Sequence, residues 1–535
     1  MLKEAIIEEQ INPKVERLEK ATVFFLILMV LFSPHSIAAS QTAWITGSFL
    51  LLIRFFFKPK LNLQRTPLDA ALWAFFLWSF ISCILSYTPL ISLDRLRSVA
   101  IFLVLYFVIN CIKTREMAIK LCFLLIGSCM INVIYVPIER ILGRGVEIHG
   151  LSANGPLTKA LLMDGDTLLK VNGKKITSAD ELLSELEKNE ESDVFFYRPD
   201  FYYTVKVKRN YLLPGDTSLE KLGIQSWKKS HNWRSTGFFG HWTTYADVLQ
   251  LIASLTFGIL IALASQLAYF SDSKSRISRR NPLSICLLFF SFAMMILALI
   301  FSGTRAPLIA LLISATCILF LNKNKKMLVA FTAISGPILL IGSMYLHQSR
   351  GVGFIDERDE STRYRQVVYR EALQLWSESF RHVMFGIGMD SVKVYAEKWG
   401  LFDNGKLPMG HFHSTPIQIL VERGLPALLI WIWIILTYSK ILLSALKKSS
   451  GIEKGVLLGI FGGFIGFLIS GLVHYNLGDQ EVAMIFFLLM GIAFTLYNSQ
   501  KLERLSASNT STRASGKNAF IRNLILLSSN FSTAR

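Results

Sequence analysis

Apolar runs of about 17 to 25 residues, the length a helix needs to cross roughly 30 Å of hydrocarbon, recur along this chain between short polar stretches. The pattern predicts spans at 21–39, 41–57, 67–87, 96–112, 117–138, 242–269, 282–301, 305–322, 327–346, 424–444, 455–473 and 480–498, about twelve in all. Pro34, His35 and Arg54 interrupt the first two. The expected fold class is an all-α polytopic membrane protein, with five spans in 21–138, four in 242–346 and three in 424–498.

Two longer stretches, about 139–241 and 347–423, break this pattern. In the first, apolar residues thin out and strand-like and helix-like patterns alternate, so a small α/β domain is expected there. Ser178 to Leu186 reads as a capped helix and Phe195 to Arg209 as a closing hairpin. The run from Gly155 to Gly173 places a short helix before Gly165-Asp166, then a strand, then an Asn172-Gly173 turn. It resembles the core of a bacterial PDZ domain, and the resemblance covers 146–209, with Leu161 standing where that family usually carries glycine. Such a domain implies a peptide or protein ligand recognised by strand addition. Asp164-Gly165-Asp166 matches a metal motif of sugar-nucleotide transferases, but a turn inside the PDZ-like fold accounts for it better. In the second stretch, Arg363 to Phe380 sets Val367, Val368, Ala372, Leu373 and Trp376 among charges. That predicts an amphipathic helix on the outer membrane surface, as a gate for lipid or an inert lid.

Composition agrees with the spans: 52% hydrophobic residues, 39 Phe and a mean hydropathy of +0.43 exclude an ordinary soluble chain. Charge then orients them, because short cytoplasmic loops collect Lys and Arg. Lys58, Lys60 and Arg65, then Lys113 and Arg115, then Lys274, Arg276, Arg279 and Arg280, then Lys323, Lys325 and Lys326, then Lys447, Lys448 and Lys454 fall on one side. Residues 1–20 and the basic tail 499–535 share that side, and 347–423 lies outside together with the PDZ-like domain. Arg95 and Arg97 are exceptions on the outer side. The net charge of +18 is therefore a topology signal with added attraction to anionic lipid, not a nucleic-acid footprint. The first span reads as a signal anchor, since a Glu-rich start leads straight into further spans. All six cysteines sit in or at the ends of spans, which argues against disulfides, and no metal-ligand cluster is evident. In the tail, about 503–519 reads as low complexity, and Leu524 to Leu527 is long enough only to rest on a membrane surface.

The segment from His411 to Ala427 concentrates chemistry at the mouth of a span, with His411, His413, Glu422 and Arg423 before a very apolar run. His413-Ser414, nine residues, then Gly424-Leu425-Pro426-Ala427 resembles the signature of the O-antigen ligase and polymerase superfamily. Arg234 to His241 is similar to that family's arginine segment before a span. Phe301 to Pro307, with Arg305, is similar to its small-residue-arginine turn, and Phe385 to Met389 to its glycine-rich loop. The charge pattern, read without reference to any family, puts Arg234, Arg305 and His413 on the outer face.

Arginine binds phosphate oxygens bidentately and keeps its charge, so Arg234 and Arg305 suit a lipid diphosphate. Histidine titrates near neutrality, so His413 suits the role of base toward an acceptor hydroxyl. The resemblance implies an inverting, metal-independent glycosyltransferase needing no cofactor. Its donor is an undecaprenyl-diphosphate-linked glycan, its acceptor a glycan or lipid A core, and its site faces the periplasm from the bacterial inner membrane. O-antigen ligase, repeat polymerase and protein O-oligosaccharyltransferase stay open, as does transport of lipid-linked sugars. A transporter, however, usually buries its charges at the midplane between repeated halves. No His-Glu-x-x-His or Gly-x-Ser-x-Gly motif supports a protease. His413 alone could be a packing residue, and Arg305 a snorkelling anchor. His411 reads as accessory, Glu422 either orients an arginine or caps the next span, and Asp247 is expected to pair with an arginine.

Overall fold

The computed structural model describes residues 13–198, 201–272, 282–350 and 360–503. The predicted features at Lys274 to Arg280, at 351–359 and in the tail beyond 503, including Leu524 to Leu527, lie outside those residues. Among the described residues six helices are long and apolar enough to cross a membrane: Arg115–Leu142, Trp242–Gln266, Leu283–Phe301, Thr415–Leu446, Gly451–Gly471 and Gln480–Glu503. Asp69–Ile84 and Arg305–Leu321 are shorter apolar helices. The chain is thus a mostly helical, multi-pass membrane protein with a small antiparallel sheet.

Several helix limits depart from the expected ones, each for a local reason. The first helix, Pro13–Phe32, includes residues before 21, and the second, Ile37–Phe55, begins after a turn at Ser33–Ser36 where the Ser36 side chain accepts from Ala39 N–H. Arg54, an expected interruption, closes that helix from a buried position by donating to Glu19 (3.0 Å) and to the carbonyls of Phe57 and Pro59. The expected span 96–112 is a helix Pro89–Val99, a tighter turn Ala100–Phe102 and a helix Leu103–Cys111. Helix Trp242–Gln266 meets Gly451–Gly471 where a side chain on Gly258 would lie 2.2 Å from the Gly459 nitrogen. Only glycine lets these two backbones approach so closely.

The chain divides into two compact units, one from Cys129–Ala246 with Ala293–Thr304, the other from Met1–Ser128, Asp247–Phe292 and Arg305–Arg535. The first unit carries the sheet. Its strands are β1 (Arg144–His149), β2 (Thr167–Val171), β3 (Lys174–Lys175), β4 (Glu191–Arg198), β5 (Phe201–Lys208) and β6 (Ser226–Ser230). They run in the order β5-β4-β2-β1-β6, with β3 paired to β2 and every pair antiparallel. Asn172 and Gly173, both at positive φ, make the two-residue β2–β3 turn that such hairpins favour. Helix Ala179–Glu187 is capped by Ser178 and buries Leu182, Leu183 and Leu186 against Val146, Ile148, Leu168 and Phe196. The sheet begins at Arg144 and ends at Ser230, wider than the expected 146–209, because β6 pairs with β1. Leu161 has a φ of 64°, a conformation that glycine fills at no steric cost.

In the second unit, residues 415–423, expected as loop, are helical, and the helix runs from Thr415 to Leu446 with a break at Gly424 (φ 77°, ψ 176°). Pro416 sits in the first turn, where its missing N–H costs nothing. Pro426 has no N–H for the Glu422 carbonyl four residues back. That carbonyl instead accepts from Gly388 N–H (2.9 Å) and shares the Ser82 hydroxyl (3.0 Å) with Phe385 O (2.7 Å), while Ile387 N–H donates to Val421 O (2.9 Å). The glycine-rich loop therefore lies directly on the break. A side chain on Gly424 would sit 2.1 Å from the Met384 oxygen, and one on Gly386 would sit 2.3 Å from the Glu422 carbonyl carbon.

Gly424→Ala should therefore cost about 2 kcal/mol or more, from an almost glycine-specific backbone conformation and the added clash. Gly127→Ala, inside a helix with nothing within 4 Å of the new methyl, should be neutral or stabilising by under about 1 kcal/mol. Thermal melting of the two purified variants in detergent checks the contrast; equal stability would contradict it.

Candidate functional site

His413 occupies the junction between an irregular segment and helix Thr415–Leu446, in a left-handed conformation (φ 47°). A non-glycine residue is uncommon in such a conformation, and local contacts help hold it there. Three contacts do so. Phe412 N–H donates to Gln418 Oε1 (2.8 Å), and Thr415 N–H donates to the His474 carbonyl (3.1 Å). The Tyr369 hydroxyl shares its one proton between the carbonyls of His413 (2.9 Å) and Leu472 (3.1 Å). The Tyr364 ring stands edge-on to the half-buried imidazole at 5.4 Å, and burial pushes its phenol up to about 12.

Tyr364 and Tyr369 come from helix Glu360–Ser377. The expected amphipathic periodicity is present, and part of the apolar side of this helix packs on protein. Val368, Ala372 and Leu375 pack against Ile387, Phe402, Phe412 and Val421, whereas Leu373 is exposed. Helix and histidine segment thus share one core.

Glu422 is fully enclosed and neither starts nor caps a span. Its Oε1 accepts from Asp390 N–H and Gln418 Nε2, both at 2.9 Å, and its Oε2 lies 3.8 Å from Arg423 Nη2. Asp390 in turn pairs with Arg95 and with Lys393 (3.0 Å), so Arg95 has a carboxylate partner on this side of the protein. Arg423 donates from Nη2 to the Tyr475 hydroxyl (2.9 Å), while its Nε and Nη1 are buried without a protein partner. It lines a cavity of about 20 Å³ together with Ser98, Phe75 and Tyr475. That volume suits a single water and is far too small for a diphosphate. His411 packs its ring edge-on to Tyr475 at 5.4 Å. Burial lowers its pKa, Lys393 and Arg95 lower it further, and Asp390 opposes them.

Asp247 was expected to pair with an arginine, and the structure corrects this. Its Oδ2 lies 3.2 Å from His474 Nδ1, and its Oδ1 accepts from the Ser470 hydroxyl. Because Thr415 bonds to the His474 carbonyl, Asp247 is connected to the His413 junction through two residues. Sequence reasoning assigned no role to His474, which lies 227 positions from its partner between two apolar helices. Arg305 is half-buried at the first position of helix Arg305–Leu321. Arg234 belongs to the other unit. It donates to the carbonyls of Ser302 (3.1 Å) and Gly303 (3.3 Å) and to Thr304 Oγ1 (3.2 Å), and its guanidinium lies 4.5 Å from the Trp242 ring. Arg234 thus has a turn-holding function visible in the structure. Among the described residues no three His, Cys, Asp or Glu side chains group as metal ligands.

These features define a multi-pass membrane protein whose helix junction carries a histidine held through its backbone. Residues 290–432 match the family model described as O-Antigen ligase, so this part of the chain is similar to that family. The match takes in Arg305, the glycine-rich loop, His411, His413, Glu422 and Gly424, and leaves out Arg234, Asp247 and the sheet. No curated protein matches the chain.

The His411 pKa sets a pH test. Held below its ordinary value of 6.5, the folded protein resists a proton that the unfolded chain accepts. Stability contributed by neutral His411 is therefore complete above about 6.5 and declines as pH falls from there toward the lower folded value. His411→Asn should lose less melting temperature than wild type between pH 7.5 and 5.5 (about two units across that window). Parallel acid sensitivity in both proteins would contradict the assignment.

Proposed function

We propose that this protein transfers a glycan from a polyprenyl-diphosphate carrier, undecaprenyl diphosphate in bacteria, to an acceptor at the outer face of the cytoplasmic membrane, as an O-antigen ligase does. The reading rests on one observation above others. Within the matched domain, the glycine-rich loop is hydrogen-bonded to the helix break that follows the fixed His413 junction. A fixed histidine at the outer end of an apolar helix is where a hydroxyl on a membrane-bound acceptor would meet a lipid-linked donor.

In the proposed reaction His413 accepts the proton of the acceptor hydroxyl as that oxygen attacks the anomeric carbon. The bond from this carbon to the diphosphate oxygen breaks with inversion, and the diphosphate leaves with the electron pair. Arg305 neutralises the growing charge on the leaving group. Arg234 is the second candidate for that role on the strength of its sequence motif. Loss of a diphosphate drives the transfer, so neither a nucleotide nor a metal ion is required. The sheet-bearing, PDZ-like segment is proposed to recruit a peptide or protein partner by strand addition.

A lipid A core acceptor makes the protein a ligase; a second lipid-linked repeat makes it a polymerase, and a protein hydroxyl an O-oligosaccharyltransferase. In a deletion strain, uncapped core with accumulated lipid-linked polymer identifies the first, and single repeats the second.

Arg305→Lys keeps the charge and loses the bidentate fork, and His413→Ala removes the base. Each should lower transfer by about 100-fold or more at unchanged protein level in the membrane. Wild-type transfer by either variant, measured with lipid-linked donor in isolated membranes, would remove that residue from the mechanism.

A further inference from the structure

We infer that Asp247 and His474 are positioning residues for glycan transfer, acting through the backbone that holds His413. The inference rests on the reading of His413 as the base.

The two residues anchor one loop. Asp247 is a carboxylate only 3% exposed, near the start of the long apolar helix Trp242–Gln266, where an unpaired charge is costly. The Ser470 hydroxyl donates to its Oδ1. With that proton committed, His474 Nδ1 is the donor, directed between Asp247 Oδ2 and Ser470 Oγ, both at 3.2 Å. The carboxylate thereby fixes both the tautomer and the ring orientation of His474, the usual effect of a carboxylate behind an imidazole.

The same loop brackets the His413 junction from behind. The His474 carbonyl takes the Thr415 N–H at 3.1 Å and the Thr415 hydroxyl at 3.2 Å. The Thr415 hydroxyl also lies 2.9 Å from Asn476 Oδ1, and Asn476 Nδ2 donates to Phe467 O. Thr415 N–H is one of the donors a helix start leaves without an internal partner. Ser414, the residue placed to cap it, makes no side-chain cap, so the cap comes from the Asp247-anchored loop. Leu472, on that loop, shares the Tyr369 hydroxyl with His413. The positive φ of His413 is thus held from Leu472 and His474, on a segment that Asp247 anchors at Ser470 and His474. A buried carboxylate is a poor way to gain stability compared with well-packed apolar residues; fixing one loop geometry is what its hydrogen-bonded pairing with His474 supplies.

The test uses purified full-length protein with polyprenyl-diphosphate-linked glycan and acceptor. Asp247→Ala and His474→Leu should each lower kcat by about 10- to 100-fold, the cost of a misplacement of roughly 1 Å, with KM for the donor changed by less than about threefold. His474→Asn, which keeps a donor at the Nδ1 position, should recover most of the lost kcat. In a His413→Ala background, Asp247→Ala should cause little further loss, because both act on the same step. Amide hydrogen exchange at 413–416 should accelerate in Asp247→Ala. Unchanged kcat in Asp247→Ala and His474→Leu overturns the inference, as does a loss that follows melting temperature without rescue by His474→Asn, or one that adds in full to His413→Ala. If His413→Ala itself transfers normally, the functional reading fails. Exchange then decides the inference: faster exchange in Asp247→Ala sustains the hold on the junction, and unchanged exchange removes it.

Discussion

Two carbonyl groups at the Gly424 break organise the proposed site. Pro426 denies the Glu422 carbonyl its helical partner, and a buried carbonyl at a membrane edge must find another donor. The N–H groups of Ile387 and Gly388 meet Val421 O and Glu422 O at 2.9 Å. This pairing draws the glycine-rich loop onto the helix and forces positive φ at Gly386 and Gly388. It also sets Asp390 N–H on the Glu422 carboxylate, with Arg95 and Lys393 gathered on Asp390. Change the break, and the charged cluster beside His411 loses its frame.

The buried charges serve geometry rather than net stability. Glu422 anchors a backbone amide, Arg423 holds the Tyr475 hydroxyl, and Asp247 holds His474. Each ion pays a desolvation penalty that its partner only partly offsets. Together they tie the 85–95, 386–393 and 470–476 segments to the start of helix Thr415–Leu446, where His413 sits.

Apolar length and loop charge made the helical membrane class legible, because a bilayer imposes one span length and cytoplasmic loops collect cations. The Asn172-Gly173 hairpin and the Ser178 cap were equally readable, since both depend on neighbours a few residues apart. Helix Thr415–Arg423 was hidden because Pro416, Gly424 and Pro426 look like breakers, whereas Pro416 starts a helix and Gly424 bends it. The periodicity of Glu360–Ser377 announced an apolar face but not the protein core that Val368, Ala372 and Leu375 join. The Asp247–His474 pair was invisible for a different reason. Its members are far apart in sequence, and only packing of Trp242–Gln266 against Gly451–Gly471 brings Asp247 beside Ser470 and His474.

The most direct measurement of the account is photo-crosslinking with a diphosphate-linked glycan donor that carries a photoreactive group beside its diphosphate, followed by mass spectrometry of the adducts. The account predicts adducts on the peptides around Arg305 and at 411–415, lost when unlabelled donor competes. Adducts confined to the opposite helix ends, at Lys323 to Lys326 and Lys447 to Lys454, would contradict it.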